Sequence, residues 1–281
     1  MNQDIKIFDR TLLPLKRARA ARHFDDAGFL FDWSKKQLQS RLDDITRNFE
    51  TAIQIGARGG KIIPHTHTID LSPAFTPSAI ADEEFLPFKN QSLDLALSNL
   101  HLHAANDLPG VLTQIKRALK PDGLFIASLF GGETLHELRS SLNHAEITLR
   151  GGLSPRVAPF ADKQDCGALL QRAGFALPVI DSDIITVTYD NAFKLMHDLR
   201  NMGESNIIAA RDKRYTGKAF FMEAAKHYAE NYSEPDGRIA ASFEIISLIG
   251  WAPHNSQQQP LKPGSAQTRL ADILKTNEEK L

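Results

Sequence analysis

Two close histidine pairs, His65-x-His67 and His101-x-His103, and the carboxylates Asp70 and Glu133 are the first residues whose types suit a reaction. Two imidazoles and a carboxylate form the donor set of a redox iron centre. On a strand, alternate side chains share a face, so either pair could turn toward one site. Ten histidines in 281 residues generate such pairs by chance, however, and no metal site is expected. A second cluster is the run Gln54-Ile55-Gly56-Ala57-Arg58-Gly59-Gly60, with Asp70 and the acidic run Asp82-Glu83-Glu84 downstream. Its glycines let a ligand lie against bare backbone and let the chain take φ > 0. On composition alone the acidic run reads as a solvated loop, and Glu204, beside Gly203, as a helix end. A third group is basic: residues 1–24 carry Lys6, Arg10, Lys16, Arg17, Arg19 and Arg22 against Asp4 and Asp9. A solvated helix face is the simplest expectation for it. The alternatives are a lid helix over a cleft or a partner-binding surface. Two acids, no serine and no apolar core argue against a transit or secretory signal.

The elements that position these residues are those of an α/β protein. Leu38, Leu42 and Ile45 mark a helix over residues 36–49. Residues 51–55 read as a first strand running straight into the glycines, and 66–70 as a second strand ending at Asp70. Pro64 discourages a long helix between them. Residues 93–98 are almost wholly apolar, as in a central strand covered on both faces. Asp107 is a fitting N-cap for a helix whose stripe is Leu108, Val111, Leu112, Ile115 and Leu119. Pro121-Asp122-Gly123 then forces a turn in which glycine is free to take φ > 0, and residues 124–130 form the next strand. Strand, helix and strand in this order give a parallel unit with a right-handed crossover. Helices follow over 133–145 and over 162–172, the latter stopped by Gly174, then a strand over 179–189. Two amphipathic helices come next, the first ending at Gly203, before a last strand over 243–250 and an irregular tail.

Composition sets the outer limits. Apolar residues make up 42% and charged residues 24%, ordinary for a globular chain, and the formal net charge of −1 favours no polyanionic partner, so no nucleic acid is expected. No apolar run approaches a membrane span. The single cysteine, Cys166, excludes an internal disulfide and points to a reducing, cytoplasmic compartment.

Several segments together resemble the respiratory complex I assembly factors built on a class I S-adenosylmethionine (AdoMet) methyltransferase fold. They are Ala81-Asp82-Glu83-Glu84-Phe85-Leu86-Pro87-Phe88, Asn106-Asp107-Leu108-Pro109 and Leu119-Lys120-Pro121-Asp122-Gly123. Phe130-Gly131-Gly132-Glu133-Thr134-Leu135 and Met202-Gly203-Glu204-Ser205-Asn206 are the more selective ones. The resemblance implies a Rossmann-like domain over residues 38–250, with a mostly parallel sheet and helices on both faces. It also implies a basic lid over residues 1–37, a helical insert over 190–235 and a tail over 251–281. The activity implied is modification of a protein side chain, arginine being the expected target, with a complex I subunit as partner and the inner membrane reached only through it. Having no targeting extension, the chain looks like a bacterial relative. By the same resemblance the AdoMet contacts are Gly56, Gly59, Gly60, Asp70, Asp82 and Glu83, and His103 is the substrate-side residue suited to general-base work. The pattern departs at Gln54, where an acid is usual, and at Arg58, where a glycine is usual. Those two departures keep open a non-catalytic assembly factor with a degenerate donor site. A small-molecule or carrier-protein O-methyltransferase of the biotin-synthesis type, which shares the domain, is the further alternative.

Overall fold

The computed structural model describes residues 6–258, 264–265, 268, 270–274 and 276. Three helices, α1 (Leu12–Ala20), α2 (Phe24–Ala27) and α3 (Phe29–Asp43), precede the first strand, β1 (Ala52–Ile55). Then follow β2 (His67–Asp70), β3 (Ala79–Ile80), β4 (Leu93–Ser98), α4 (Leu108–Ala118), β5 (Leu119–Phe130), α5 (His136–Arg150) and α6 (Lys163–Ala173). The chain continues through β6 (Ala176–Tyr189), α7 (Ala192–Met202), α8 (Lys218–Tyr232), β7 (Ile239–Trp251) and α9 (Leu270–Leu274).

The strands form one sheet in the order β3-β2-β1-β4-β5-β7-β6. Only β7 runs antiparallel to its neighbours. Strand order reverses between β1 and β4, which pair in parallel with Ile55 opposite Ser98. The chain therefore leaves both strands at the same edge and opens a crevice there, the place where open α/β sheets take their ligands. Every residue of β1 and β4 is buried, as the near-continuous apolar composition of β4 requires.

Local signals set the helix ends. Asp107 Oδ1 accepts from Gly110 N at 2.9 Å and Asp162 Oδ1 from Asp165 N at 2.7 Å, so two caps fall where their sequence places them. Gly174 (φ +85°) and Gly203 (φ +83°) close α6 and α7 in the left-handed region. No helix separates β1 from β2, as Pro64 indicates.

Several elements differ from the sequence reading. α3 begins at Phe29, because Leu30, Phe31 and Ser34 extend its buried face toward the N-terminus. α5 is displaced to His136–Arg150, beyond a turn in which Leu135 takes φ +55°. The turn expected at residues 121–123 is instead part of β5, where Asp122 rather than Gly123 carries positive φ (+60°), and a Cβ on Gly123 would lie 2.9 Å from Lys120 O. Of the tail expected to be irregular, 252–258 fits and residues 270–274 form α9 instead; most of the rest lies outside the described residues. No described helix is long and apolar enough to cross a membrane.

Candidate functional site

The loop after β1 is shaped by its own side chains. Gly56, Gly59 and Gly60 have φ of +95°, +72° and +74°, while Arg58 is not among the residues with positive φ. Arginine at that position therefore carries no left-handed strain. Gln54, wholly buried, donates Nε2 to Gly56 O and Gly60 O, both at 2.9 Å, and accepts from Ile62 N at 2.8 Å. A carboxylate could not donate those two bonds, so the amide suits a loop that turns carbonyls inward. A Cβ on Gly56 would fall 2.4 Å from His101 Nδ1. Glycine is needed there because an imidazole from the β4 side packs onto the backbone.

Asp70 ends β2 with both oxygens engaged. Oδ2 accepts from Ala57 N at 3.0 Å, and Oδ1 accepts from Ser72 N at 2.9 Å and Arg17 Nη1 at 3.1 Å. Burial opposes its ionisation, but His101, Arg17 and the two backbone donors outweigh it and hold the carboxyl below its ordinary range. Arg17 comes from α1 and is completely buried. Its Nη1 also approaches His101 Nε2 at 3.4 Å, while Nε and Nη2 have no partner among the described residues. Burial and the neighbouring Arg58 charge lower its proton affinity.

The segment before α1 is tied down on both sides. Phe8 bridges to Ile208, its N donates to Asn106 Oδ1 at 2.7 Å, and Asp9 N donates to Ile207 O at 2.7 Å. Arg10 then meets the acidic run, donating to Asp82 Oδ1 at 2.7 Å, Glu83 Oε1 at 2.6 Å and Ala104 O at 3.2 Å, with Glu84 at 3.7 Å. Against the cost of burial, His101 and Arg10 hold the Glu83 carboxyl well below its usual range. The solvated face expected for the basic segment applies to Arg19 and Arg22, but Arg10 and Arg17 turn inward. They do so because Asp82, Glu83 and Asp70 stand unneutralised without them.

Arg58 points the other way, toward α7. Its Nη1 donates to Glu204 Oε1 at 2.5 Å and Met202 O at 3.0 Å, its Nη2 to Leu100 O at 3.0 Å, and its guanidinium lies 4.8 Å from the Phe31 ring centroid. Glu204 is thus not merely a helix end. Its second oxygen, Oε2, lies within hydrogen-bond distance of His103 Nε2, at 3.2 Å. His101 caps, and His103 lies within, a 3-10 turn (Leu102–Ala104) rather than a strand, so the pair diverges: His101 faces Asp70 and Glu83, His103 faces Glu204. His65, His67 and Glu133 are exposed.

Beside His103 lies a cavity of about 510 Å³, walled by Phe130, Leu138, Phe160, Met196, Leu199 and Phe243, with Glu204, Arg58 and Arg17 also on its lining. Its exposed lining residues Phe193, His197 and Arg200, all on α7, mark where it meets solvent. The sequence-predicted residues accordingly fall into three groups. Gly56 and Asp70 meet around Arg17 and His101, Asp82 and Glu83 meet around Arg10, and His103 stands apart on the cavity wall. Sequence reasoning missed Arg10, and gave Glu204 no partner. The one signal for Arg10 was a basic segment and a triple acidic run in a nearly neutral chain.

For AdoMet the residue types of the donor set fit: glycines after β1, an acid ending β2, and an acid after β3. The space does not, because Arg17 and His101 fill the hollow over Gly56 and Asp70 is fully engaged. A ribose reaches Asp70 only where Arg17 has left.

Comparison with known proteins places these features. The model of a methyltransferase domain family matches residues 57–127. The mitochondrial arginine-hydroxylase NDUFAF5 of Mus musculus is 40% identical over 98% of this chain and 85% of its own length. The malonyl-[acyl-carrier protein] O-methyltransferase of Xylella fastidiosa is 37% identical over 88% of this chain and 89% of its own length. A candidate methyltransferase of Bacillus halodurans C-125 shares the fold, at a TM-score of 0.52 and 15% identity over 77% of this chain and 97% of that one.

Proposed function

Because the chain belongs to the NDUFAF5 arginine-hydroxylase family of methyltransferase-fold proteins, we propose that it modifies an arginine side chain of a protein during assembly of respiratory complex I. The observation that carries this reading is the cavity at the carboxyl ends of the strands. Its apolar walls suit the aliphatic stem of an arginine, and an imidazole–carboxylate pair stands at its inner side. Among the described residues Glu204 is the one carboxylate on the lining, and its ionised state is supported by Arg58 and His103 despite burial. His103 is the residue in reach of a bound side chain and the one we assign to proton transfer.

AdoMet is the cofactor that this donor set suits. Gly56, Gly59 and Gly60 would receive it along the backbone, Asp70 would hold the ribose, and Asp82 and Glu83 would lie toward the adenine, once Arg17 and Arg10 are displaced. A methyl group is what it would supply when bound. No step of the arginine chemistry is assigned to it here, since the folded arrangement keeps the hollow closed.

A second reading, transfer to a carrier-bound carboxylate, draws support from the cavity mouth. Arg200 stands on its lining, and burial with Arg19, Arg200 and Arg211 nearby lowers the proton affinity of Lys16, so cations gather next to Arg200 and would attract an acidic carrier.

The experiment is mass spectrometry of complex I subunits from a strain lacking this chain. Loss of one modified arginine is expected, and the missing mass, an oxygen atom or a methyl group, identifies the reaction. If every arginine keeps the mass seen in the parent strain, the chain acts as a scaffold, or on a carrier if the strain also becomes dependent on biotin.

A further inference from the structure

We propose that Arg58, Glu204 and His103 form one unit, in which Arg58 and Glu204 are positioning residues that fix the proton of His103 on Nε2 and leave Nδ1 as a proton acceptor. The inference deepens the reading above, since it rests on the cavity being the substrate side. It also explains why an arginine stands where the donor loop is expected to have a glycine.

An ionised carboxylate can only accept hydrogen bonds. Arg58 holds Glu204 in that state, and both carboxylate oxygens are committed: Oε1 to Arg58 Nη1 at 2.5 Å and Oε2 to His103 Nε2 at 3.2 Å. The imidazole must therefore place its hydrogen on Nε2, and in the neutral ring Nδ1 carries a lone pair. That lone pair has no partner among the described residues. A buried ring nitrogen left unmatched is costly, and a purely structural histidine would be expected to satisfy both nitrogens. The ring lines the cavity and is braced by Phe130 at 4.9 Å and Phe160 at 5.7 Å between centroids. A nucleophile entering the cavity thus meets an oriented imidazole.

Arg58 is suited to the anchoring role by its shape. Its planar fork spans Met202 O, Leu100 O and Glu204 at once, joining the loop after β1, the loop after β4 and the end of α7. A lysine would reach one of these as a point charge. The pair is 146 residues apart in sequence, so the loop substitution and the Gly-Glu-Ser-Asn segment are two halves of one device.

The test is long-range proton–nitrogen correlation spectroscopy of the full-length chain, recorded well above the ordinary imidazole titration range, with His103→Gln to assign the resonance. The native protein is expected to show His103 in the Nε2–H form. In Glu204→Gln the side-chain amide can donate to Nε2 instead, so the tautomer ratio should move toward Nδ1–H by about tenfold, the scale of a hydrogen bond to a charged group. Arg58→Lys should move it in the same direction by less. The native measurement decides even if a variant folds poorly. A native His103 protonated on Nδ1, or a well-folded Glu204→Gln with an unchanged ratio, overturns the proposal. Because the readout needs no substrate, such a failure counts against this unit alone and not against the arginine reading.

Discussion

Replacing Arg17 with methionine, which keeps much of the volume and removes the charge, probes the closed hollow directly. Arg17 Nη1 makes one charged hydrogen bond to Asp70 at 3.1 Å, and such bonds contribute about 1.5–3 kcal/mol. Its Nε and Nη2 are buried without partners among the described residues, each a penalty of about 1–3 kcal/mol. The two contributions largely cancel, and Asp70 keeps its bonds from Ala57 and Ser72. Against this, Asp70 is left buried without its guanidinium, a loss of about 3–5 kcal/mol in comparable pairs, so the variant should unfold at lower urea than the native protein. Donor binding should move the other way. In the native chain a nucleoside must displace the Arg17–Asp70 bond before its ribose can pair, which weakens apparent affinity by about 10- to 100-fold at 1.4 kcal/mol per decade. Calorimetric titration with S-adenosylhomocysteine should show tightening of that size in Arg17→Met. Unchanged affinity would mean that Arg17 does not compete for the hollow. Weaker binding would mean that it belongs to the donor receptor, and either result refutes the reasoning.

Gly56→Ala forces a residue with a side chain to φ +95° and drives its Cβ onto His101; a loss of about 3 kcal/mol or more in chemical denaturation is expected, and a loss under 1 kcal/mol would show that the ring moves aside freely. Asp70, Glu83 and Glu204 all have carboxyls held below their ordinary range, so the unfolded chain takes up protons first as pH falls. The stability they contribute should be complete above about pH 4.5 and decline as pH drops through their lower folded values. A urea midpoint that stays flat from about pH 5 to 3 would contradict this. Burial, with Asp162, Asp165 and Glu244 nearby, pushes the Cys166 thiol up to about 12. Iodoacetamide should therefore leave the native protein unlabelled at neutral pH and label it once unfolded, and rapid native labelling would place that thiol in solvent.

The sheet and most helix ends were legible because their signals are local. Asp107 and Asp162 cap helices that begin one residue later, and Gly174 and Gly203 end helices by conformational freedom alone. The apolar run of β4 admits no position but a central one. The closed site was not legible, since its bonds join residues far apart in sequence: 53 positions for Arg17 and Asp70, 72 for Arg10 and Asp82, 146 for Arg58 and Glu204. Nothing within α1 distinguishes Arg17, fully buried, from Arg19, exposed; the choice is made by an acid at the end of β2. The substitution at Arg58 reads in sequence as damage to a donor loop. Only its partners on α7 and after β4 give it a positive role.

The central claim is that the cavity beside His103 is where an arginine is modified, and replacing the chromosomal copy with His103→Ala tests it most directly. The affected complex I arginine, read by mass spectrometry, should appear unmodified while the variant protein accumulates at its normal level. The same arginine found fully modified in that strain would contradict the account.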